Sequence, residues 1–240
     1  NSDNTIQLTQ YLGTKTELVV PANYDGYVVY AVGQQGMRES TPSAERINVL
    51  GAAENATITK LTIEDGIKEI KCSAFEKCTA IKGNLVIPNS VENIESYAFN
   101  RCSGLNGNLK LSSSLKNIGK TAFQYCSGLE GDLEIPDSVE EIGNYAFNNC
   151  KGFSGLKLSS NLVSIGRTAF QSCTGLKGNL VIPDRIEKVE DYAFYNCSGF
   201  DGTLTLPSTL KSIGKAAFYN CSKLEGNLII PEGVETIGTH

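Results

Sequence analysis

Histidine is nearly missing from this chain: the one copy, His240, is the last of 240 residues. Nucleophilic sites of the Ser-His-Asp or Cys-His kind need an imidazole to take the nucleophile's proton, so a single-chain site of that type is excluded. A zinc set lacks its imidazole ligands for the same reason, and the eight cysteines recur at long, even spacing rather than as Cys-Xaa-Xaa-Cys pairs. No apolar run approaches the roughly 20 residues that a helical bilayer span takes. The polar start Asn1-Ser2-Asp3-Asn4 has neither the charged nor the apolar region of a secretory leader, so a signal peptide is expected to lie outside this chain. Long basic runs are missing too. Lys and Arg number 21 against 26 Asp and Glu, for a net charge of -5, and the bases are dispersed, which argues against nucleic acid or an anionic membrane as partner. Carboxylates are plentiful, and a pair about 5–9 Å apart serves glycoside hydrolysis in other proteins. Here neighbouring lysines would keep such a pair ionised on an open surface, with no dry pocket to raise one pKa. The sequence is therefore read as non-catalytic, with no cofactor.

What is present in quantity is a repeat. Ala-Phe-Xaa-Xaa-Cys returns at Phe75/Cys78, Phe99/Cys102, Phe123/Cys126, Phe147/Cys150, Phe170/Cys173, Phe194/Cys197 and Phe218/Cys221. The step is 24 residues throughout except from Phe147 to Phe170, where it is 23. Self-similarity at a fixed period of this length marks a solenoid of stacked rungs. Apolar residues at 40% and charged residues at 20% supply an ordinary folded core. Seven cysteines share one slot in successive rungs and are read as small buried hydrophobes. Cys72 is the odd one, and a Cys72–Cys78 bridge stays open as an alternative.

From Leu61 the rungs run cleanly, opening at Leu61, Leu85, Leu109, Leu133, Leu156, Leu180, Leu204 and Leu228. Each begins with a short alternating pattern such as Leu85-Val86-Ile87, outer residues toward the core and the middle one away from it, and Pro88, Pro136, Pro183, Pro207 or Pro231 closes many of these strands. A second apolar pair three apart, such as Val91/Ile94, is too short for a helix and predicts extended or single-turn structure, with a 3₁₀ or α-turn around Ala-Phe. Rungs alternate in kind: those with Tyr97, Tyr145 and Tyr192 carry acids, and those between carry Thr or Ala with bases. At strand spacing of about 4.8 Å, Glu92, Lys116 and Glu140, or Glu187, Lys211 and Glu235, would stack as mixed-charge ladders, so the true repeat is a pair of rungs. Residues 1–57 read as an N-terminal cap. Within it Leu18-Val19-Val20-Pro21, Val29, Val32 and Gly33 echo a rung, and Gln34 to Thr57 form an insertion whose Ser40 to Arg46 could be a short helix. Residues 58–240 hold about seven full rungs and a shortened last one, which stops at His240 without a visible cap; an open edge there predicts end-to-end self-association.

The pattern Leu-Xaa-Ile-Pro-Xaa-Xaa-Val-Xaa-Xaa-Ile-Gly-Xaa-Xaa-Ala-Phe-Xaa-Xaa-Cys, nearly whole in Leu133 to Cys150, closely resembles the BspA-like (Treponema pallidum type) leucine-rich repeat. The resemblance implies a right-handed leucine-rich-repeat superhelix with a concave parallel β-sheet of Leu-Xaa-Ile strands and short extended, 3₁₀ or helical turns on the convex side. That class ordinarily runs 23 residues; most rungs here hold one more, as at Leu105-Asn106-Gly107-Asn108-Leu109, which predicts a bulge or widened turn before the strand. The resemblance also implies a secreted or surface-anchored protein of bacteria or some protists, adhesive in several members.

The candidate surface is the concave strand face. Its outward column reads Val86, Lys110, Glu134, Lys157, Val181, Thr205 and Ile229, flanked by Asn84, Asn108, Asp132, Asn179, Thr203 and Asn227. Exposed Val and Ile beside amides and charges make a broad protein-binding surface, with host matrix or another microbe as the partner. A bland alternative makes the Asn/Asp column a hydrogen-bonded stitch along the sheet edge. Two rival readings of the whole chain are a rigid spacer that displays another domain and, more weakly, a glycan-binding module. The strand face has no aromatic platform for a sugar, and Tyr97, Tyr145 and Tyr192 are expected to pack against Thr or Ala of the intervening rungs. The insertion at Gln34 to Thr57 is the second candidate for recognition.

Overall fold

The computed structural model describes residues 5–10, 15–33 and 58–240. The Gln34 to Thr57 insertion, with its expected Ser40 to Arg46 helix, lies outside them. At the N-terminus run β1 (Thr5–Leu8), β2 (Glu17–Val20), β3 (Asn23–Tyr24) and β4 (Tyr27–Val32). Each later rung but the last then carries two strands. The first is the Leu-Xaa strand: β5 (Lys60–Ile63), β7 (Leu85–Val86), β9 (Leu109–Lys110), β11 (Gly131–Glu134), β13 (Phe153–Lys157), β15 (Leu180–Val181) and β17 (Leu204–Thr205). The second ends on the Ile or Val of the second apolar pair: β6 (Glu69–Ile70), β8 (Asn93–Ile94), β10 (Asn117–Ile118), β12 (Glu141–Ile142), β14 (Ser164–Ile165), β16 (Lys188–Val189), β18 (Ser212–Ile213) and β19 (Thr236–Ile237).

Equivalent strands stack parallel and in register, so one residue type forms one column. Ile70, Ile94, Ile118, Ile142 and Ile165 lie one over another, and Val32 extends the column at its N-terminal end. Leu18 and Val20 stand opposite Leu61 and Ile63. A rung buries the apolar positions its sequence marks: Leu85, Ile87, Val91, Ile94, Ala98, Phe99, Cys102 and Leu105 are all within the core.

Three details depart from the expectation. The longest ladder, β1-β4-β6-β8-β10-β12-β14 with β3 at its side, is built on the second apolar pair and not on Leu-Xaa-Ile. The Leu-Xaa strands close only in couples, β2 with β5, β7 with β9, β11 with β13 and β15 with β17. The cause lies in the widened turn before them. Gly83, Gly131 and Gly178 have φ of +82°, +74° and +76°, in the left-handed region, and the rungs between do not. The three couples from β7 onward each open on a rung of the first kind, so successive rungs approach the strand in two geometries. The rungs do alternate as a pair, but the left-handed turn falls before alternate strands only, and the turn at Leu105 to Leu109, whose extra residue also predicts a widening, does not adopt it. At the far end, Leu228 opens no strand: Leu228, Ile229 and Ile230 are extended but unpaired, and exposed.

The Ala-Phe segment shows the i→i+3 bonds of 3₁₀ geometry, but they alternate with bonds to the next rung. Ala98, Asn100 and Cys102 donate N–H back to Glu95, Tyr97 and Phe99, whereas Tyr97, Phe99 and Arg101 donate to Lys120, Ala122 and Gln124 at 2.7–2.9 Å. To turn alternate N–H groups along the array, two non-glycine residues per rung adopt positive φ, as Tyr97 (62°) and Arg101 (61°) do, or Thr121 (61°) and Tyr125 (60°). That conformation crowds Cβ against the carbonyl at about 1–2 kcal/mol per residue. The inter-rung bonds and the core beneath offset it.

Beneath this segment the phenylalanines stack. Ring centroids from Phe75 through Phe218 follow one another at 5.2–5.7 Å with planes 3–16° apart. The cysteines form a second column, all eight free and buried, so Cys72 and Cys78 are not bridged. Six of the thiols, from Cys102 to Cys221, donate to the Phe carbonyl of the preceding rung, Cys102 to Phe75 and Cys126 to Phe99 at 3.0 Å. Burial pushes these six thiols away from ionisation, Cys173 up to about 12.

Three outcomes follow from this packing. Phe147, stacked between Phe123 and Phe170 and edge-on to Phe153, is expected to cost about 3–5 kcal/mol when changed to Ala, read from urea unfolding. Lys77 is exposed at φ 62°, and Lys77→Gly is expected to raise stability by about 0.5–1 kcal/mol through relief of that φ. The eight thiols are expected to resist alkylation in the native protein at neutral pH and to react together in denaturant; fast labelling of native protein would contradict the buried column.

Candidate interaction surface

The middle residues of the Leu-Xaa strands point outward and form one exposed column. Val86 stands beside Lys110, Glu134 beside Lys157, and Val181 beside Thr205. Exposure is 52% for Val86, 54% for Val181 and 77% for Ile229, so apolar side chains share the open surface with Lys110, Glu134 and Lys157. The couples of strands leave seams between them, and depressions lie at two of these. One of about 390 Å³ is lined by Leu156, Lys157, Asn179, Val181 and Pro183. The other, of about 720 Å³, is lined by Thr203, Thr205, Asn227, Ile229 and Pro231. The seams were not legible in the repeat, because the glycines before the two strands of a couple, such as Gly83 and Gly107, look alike in sequence.

The flanking polar column sits on the same face but is largely engaged. Asn84 Oδ1 accepts the Asn108 N–H at 2.9 Å, and Asn179 Oδ1 accepts the Thr203 N–H at 2.9 Å. Asp132 Oδ1 accepts the Ser154 hydroxyl at 2.8 Å. Each of these side chains reaches up to a glycine of the next rung: a Cβ on Gly107 would stand 2.3 Å from Asn84 Oδ1, and one on Gly131 2.4 Å from Asn108 Oδ1. Asn84, Asp132 and Asn179 thus stitch rungs together, and among the described residues the exposed column from Val86 to Ile229 makes no such bonds.

A second face carries the charged columns. Glu92, Lys116 and Glu140 stack in order, joined through their backbones, as do Glu187, Lys211 and Glu235. Among the described residues this column closes as an ion pair at Lys68–Glu92, 2.9 Å, and not at Lys116 or Lys211. Exposed long side chains gain little from fixing one geometry in water. Lys71 is better held: partial burial works against its charge, but hydrogen bonds to Glu69 and Glu95 outweigh that and raise its pKa. Between β14 and β16 this sheet is interrupted, and a depression of about 600 Å³ opens, lined by Val163, Arg185, Glu187 and Lys188. At the corner between the two faces Asp137 accepts both the N–H and the hydroxyl of Ser160, which holds its carboxyl below the usual 3.8.

The third face is made of the Ala-Phe turns. Tyr192 lies with Arg167 and Lys215 at 5.6 and 5.9 Å from its ring centre, so cations of both neighbouring rungs, and not only Thr168 and Ala216, flank it. Tyr195 stacks on Tyr219 at 5.2 Å. Among the described residues no three His, Cys, Asp or Glu side chains are grouped to hold a metal ion, and no helix is long and apolar enough to cross a membrane.

The BspA-type leucine-rich repeat region, in six copies, matches residues 51–177 and 130–240. None of the curated protein sequences matches. Among solved structures, the leucine-rich repeat protein of T. pallidum is 24% identical with a TM-score of 0.65, over 93% of this chain and 85% of that one. A leucine-rich repeat protein from Bacteroides ovatus is 25% identical with a TM-score of 0.73, over 97% of this chain and 55% of that one, so this chain spans about half of that relative's length. With rung geometry, core columns and repeat consensus in agreement from end to end of the array, the chain belongs to the BspA-type leucine-rich repeat family.

Proposed function

We propose that the chain is a non-catalytic recognition module, displayed outside the cell, that binds a protein through its Leu-Xaa strand face. The observation that carries this reading is the exposed column from Val86 to Ile229. It sets apolar side chains among charged ones beside shallow seams, on a surface whose flanking amides are already spent on the fold. Shallow relief suits a protein surface better than a small substrate, which calls for a deep, enclosed cleft. The family supports an interaction scaffold in general; the extracellular setting and adhesion to host matrix or other microbes rest on the resemblance noted above. Charge alternation in Lys110, Glu134 and Lys157 would set register with a partner, and Val86, Val181 and Ile229 would supply the desolvated contacts.

The test is surface binding of the purified chain to laminin, collagen and mucin, alongside a Val86→Asp/Val181→Asp/Ile229→Asp variant. These side chains lie in open solvent, so unfolding is expected to be unchanged while saturable binding falls tenfold or more. Retained binding by the variant would remove this face from consideration, and absence of any binding would favour a rigid spacer.

A further inference from the structure

The fold gathers what the sequence scatters. The turn segments 72–78, 96–102, 120–126, 144–150, 167–173, 191–197 and 215–221 contain all six tyrosines of residues 58–240, and five cations, Lys77, Arg101, Lys120, Arg167 and Lys215. Their acids number two. Glu76 is buried, and Asp191 is tied through Oδ1 to the Lys215 N–H at 2.7 Å. On a chain whose net charge is -5, this face is the basic one.

Its cations are also regularly placed. Tyr97, Tyr145 and Tyr192 donate their N–H groups to the carbonyls of Lys120, Arg167 and Lys215 at 2.9–3.0 Å. Those three cations therefore share one column, with Asn144 and Asp191 on the rungs between, and recur every second rung, about 10 Å apart at ordinary strand spacing. The tyrosines occupy the rungs between. Arg167 and Lys215 lean on the Tyr192 ring from the two neighbouring rungs, and Arg101 lies 5.5 Å from the centre of the Tyr125 ring. Cation–π contact holds each charge near the surface and leaves less freedom to lose on binding. Arg101, Arg167 and Lys215 remain exposed.

A straight row of evenly spaced cations fits a linear polymer with evenly spaced anions. Single-stranded nucleic acid is such a polymer, but it binds by laying bases on open aromatic faces. Here the Tyr192 and Tyr125 rings carry cations, and Tyr195 and Tyr219 are stacked on each other. We propose that the turn face binds an acidic polysaccharide, carboxylated or sulfated, lying along the array with its anions over Lys120, Arg167 and Lys215. This surface is distinct from the Leu-Xaa face and stands or falls independently of it.

The test titrates the purified chain with heparin and with polygalacturonate, using dextran and oligothymidylate as comparators, at several salt concentrations. Binding of one or both acidic polysaccharides is expected, weakening steeply with salt as bound counterions are exchanged. Heparin alone would identify sulfate as the preferred anion, and polygalacturonate alone carboxylate. Arg101→Gln/Arg167→Gln/Lys215→Gln is expected to lose at least tenfold in affinity and to show a shallower salt dependence. Lys110→Gln/Lys157→Gln, on the other face, should bind as the parent does. Should the triple variant unfold, Arg101→Gln and Lys215→Gln taken singly serve the same purpose, each with a partial loss. Failure of both polysaccharides to bind, equal loss in the Lys110/Lys157 variant, or equal affinity for dextran or oligothymidylate would overturn the proposal.

Discussion

The array depends on one recurring bond, a backbone N–H of one rung donated to a carbonyl of a neighbouring rung. In the strands this bond needs nothing special. In the Ala-Phe turns it competes with the i→i+3 bond that a tight turn makes within itself, and the chain satisfies both by alternating between them. Two residues per rung are forced into positive φ as a result, and neither is glycine. The buried side of the same segment compensates, because the geometry that turns alternate N–H groups along the array also brings each Phe over the last and the thiols from Cys102 to Cys221 onto carbonyls. Shape, core and strain all follow from that compromise.

The repeat consensus made the core legible. Leu, Ile, Val, Ala, Phe and Cys recur at fixed slots, every such position in the rung from Leu85 to Leu105 is buried, and even the alternation of rungs was visible in Tyr97 against Thr121. What could not be read concerns the backbone. Positive φ at Tyr97, Thr121 or Lys77 leaves no mark, because glycine, its usual sign, is absent there. The pairwise closure of Leu-Xaa strands was hidden for a related reason: Gly83 and Gly107 look alike in sequence, yet only Gly83 is in the left-handed region. The candidate face was half legible. Alternation told which residues point outward, but whether Asn84 or Asn179 was free depended on a neighbour 24 residues away.

The three faces divide the chain's polar chemistry in a way that composition conceals. The Leu-Xaa face mixes apolar and charged side chains, the second stacks acids and bases in columns, and the turn face collects the tyrosines with a surplus of cations. A period near 24 residues turns each sequence slot into a line on the surface, so a weak bias at one slot becomes a stripe tens of ångströms long. Net charge averages such stripes away, and a slot-by-slot reading recovers them.

The coupling of Leu-Xaa strands in twos bears on how such arrays change length. A seam falls after every second rung, and the 23-residue step between Phe147 and Phe170 shortens one rung without breaking that phase. Gain or loss of a couple would leave each remaining strand with the neighbour it already fits. Gain or loss of a single rung would set two turns of the same kind side by side, where neither is shaped to pair. The couple, two rungs long, is thus the smallest unit whose gain or loss would leave the strand pairing unchanged.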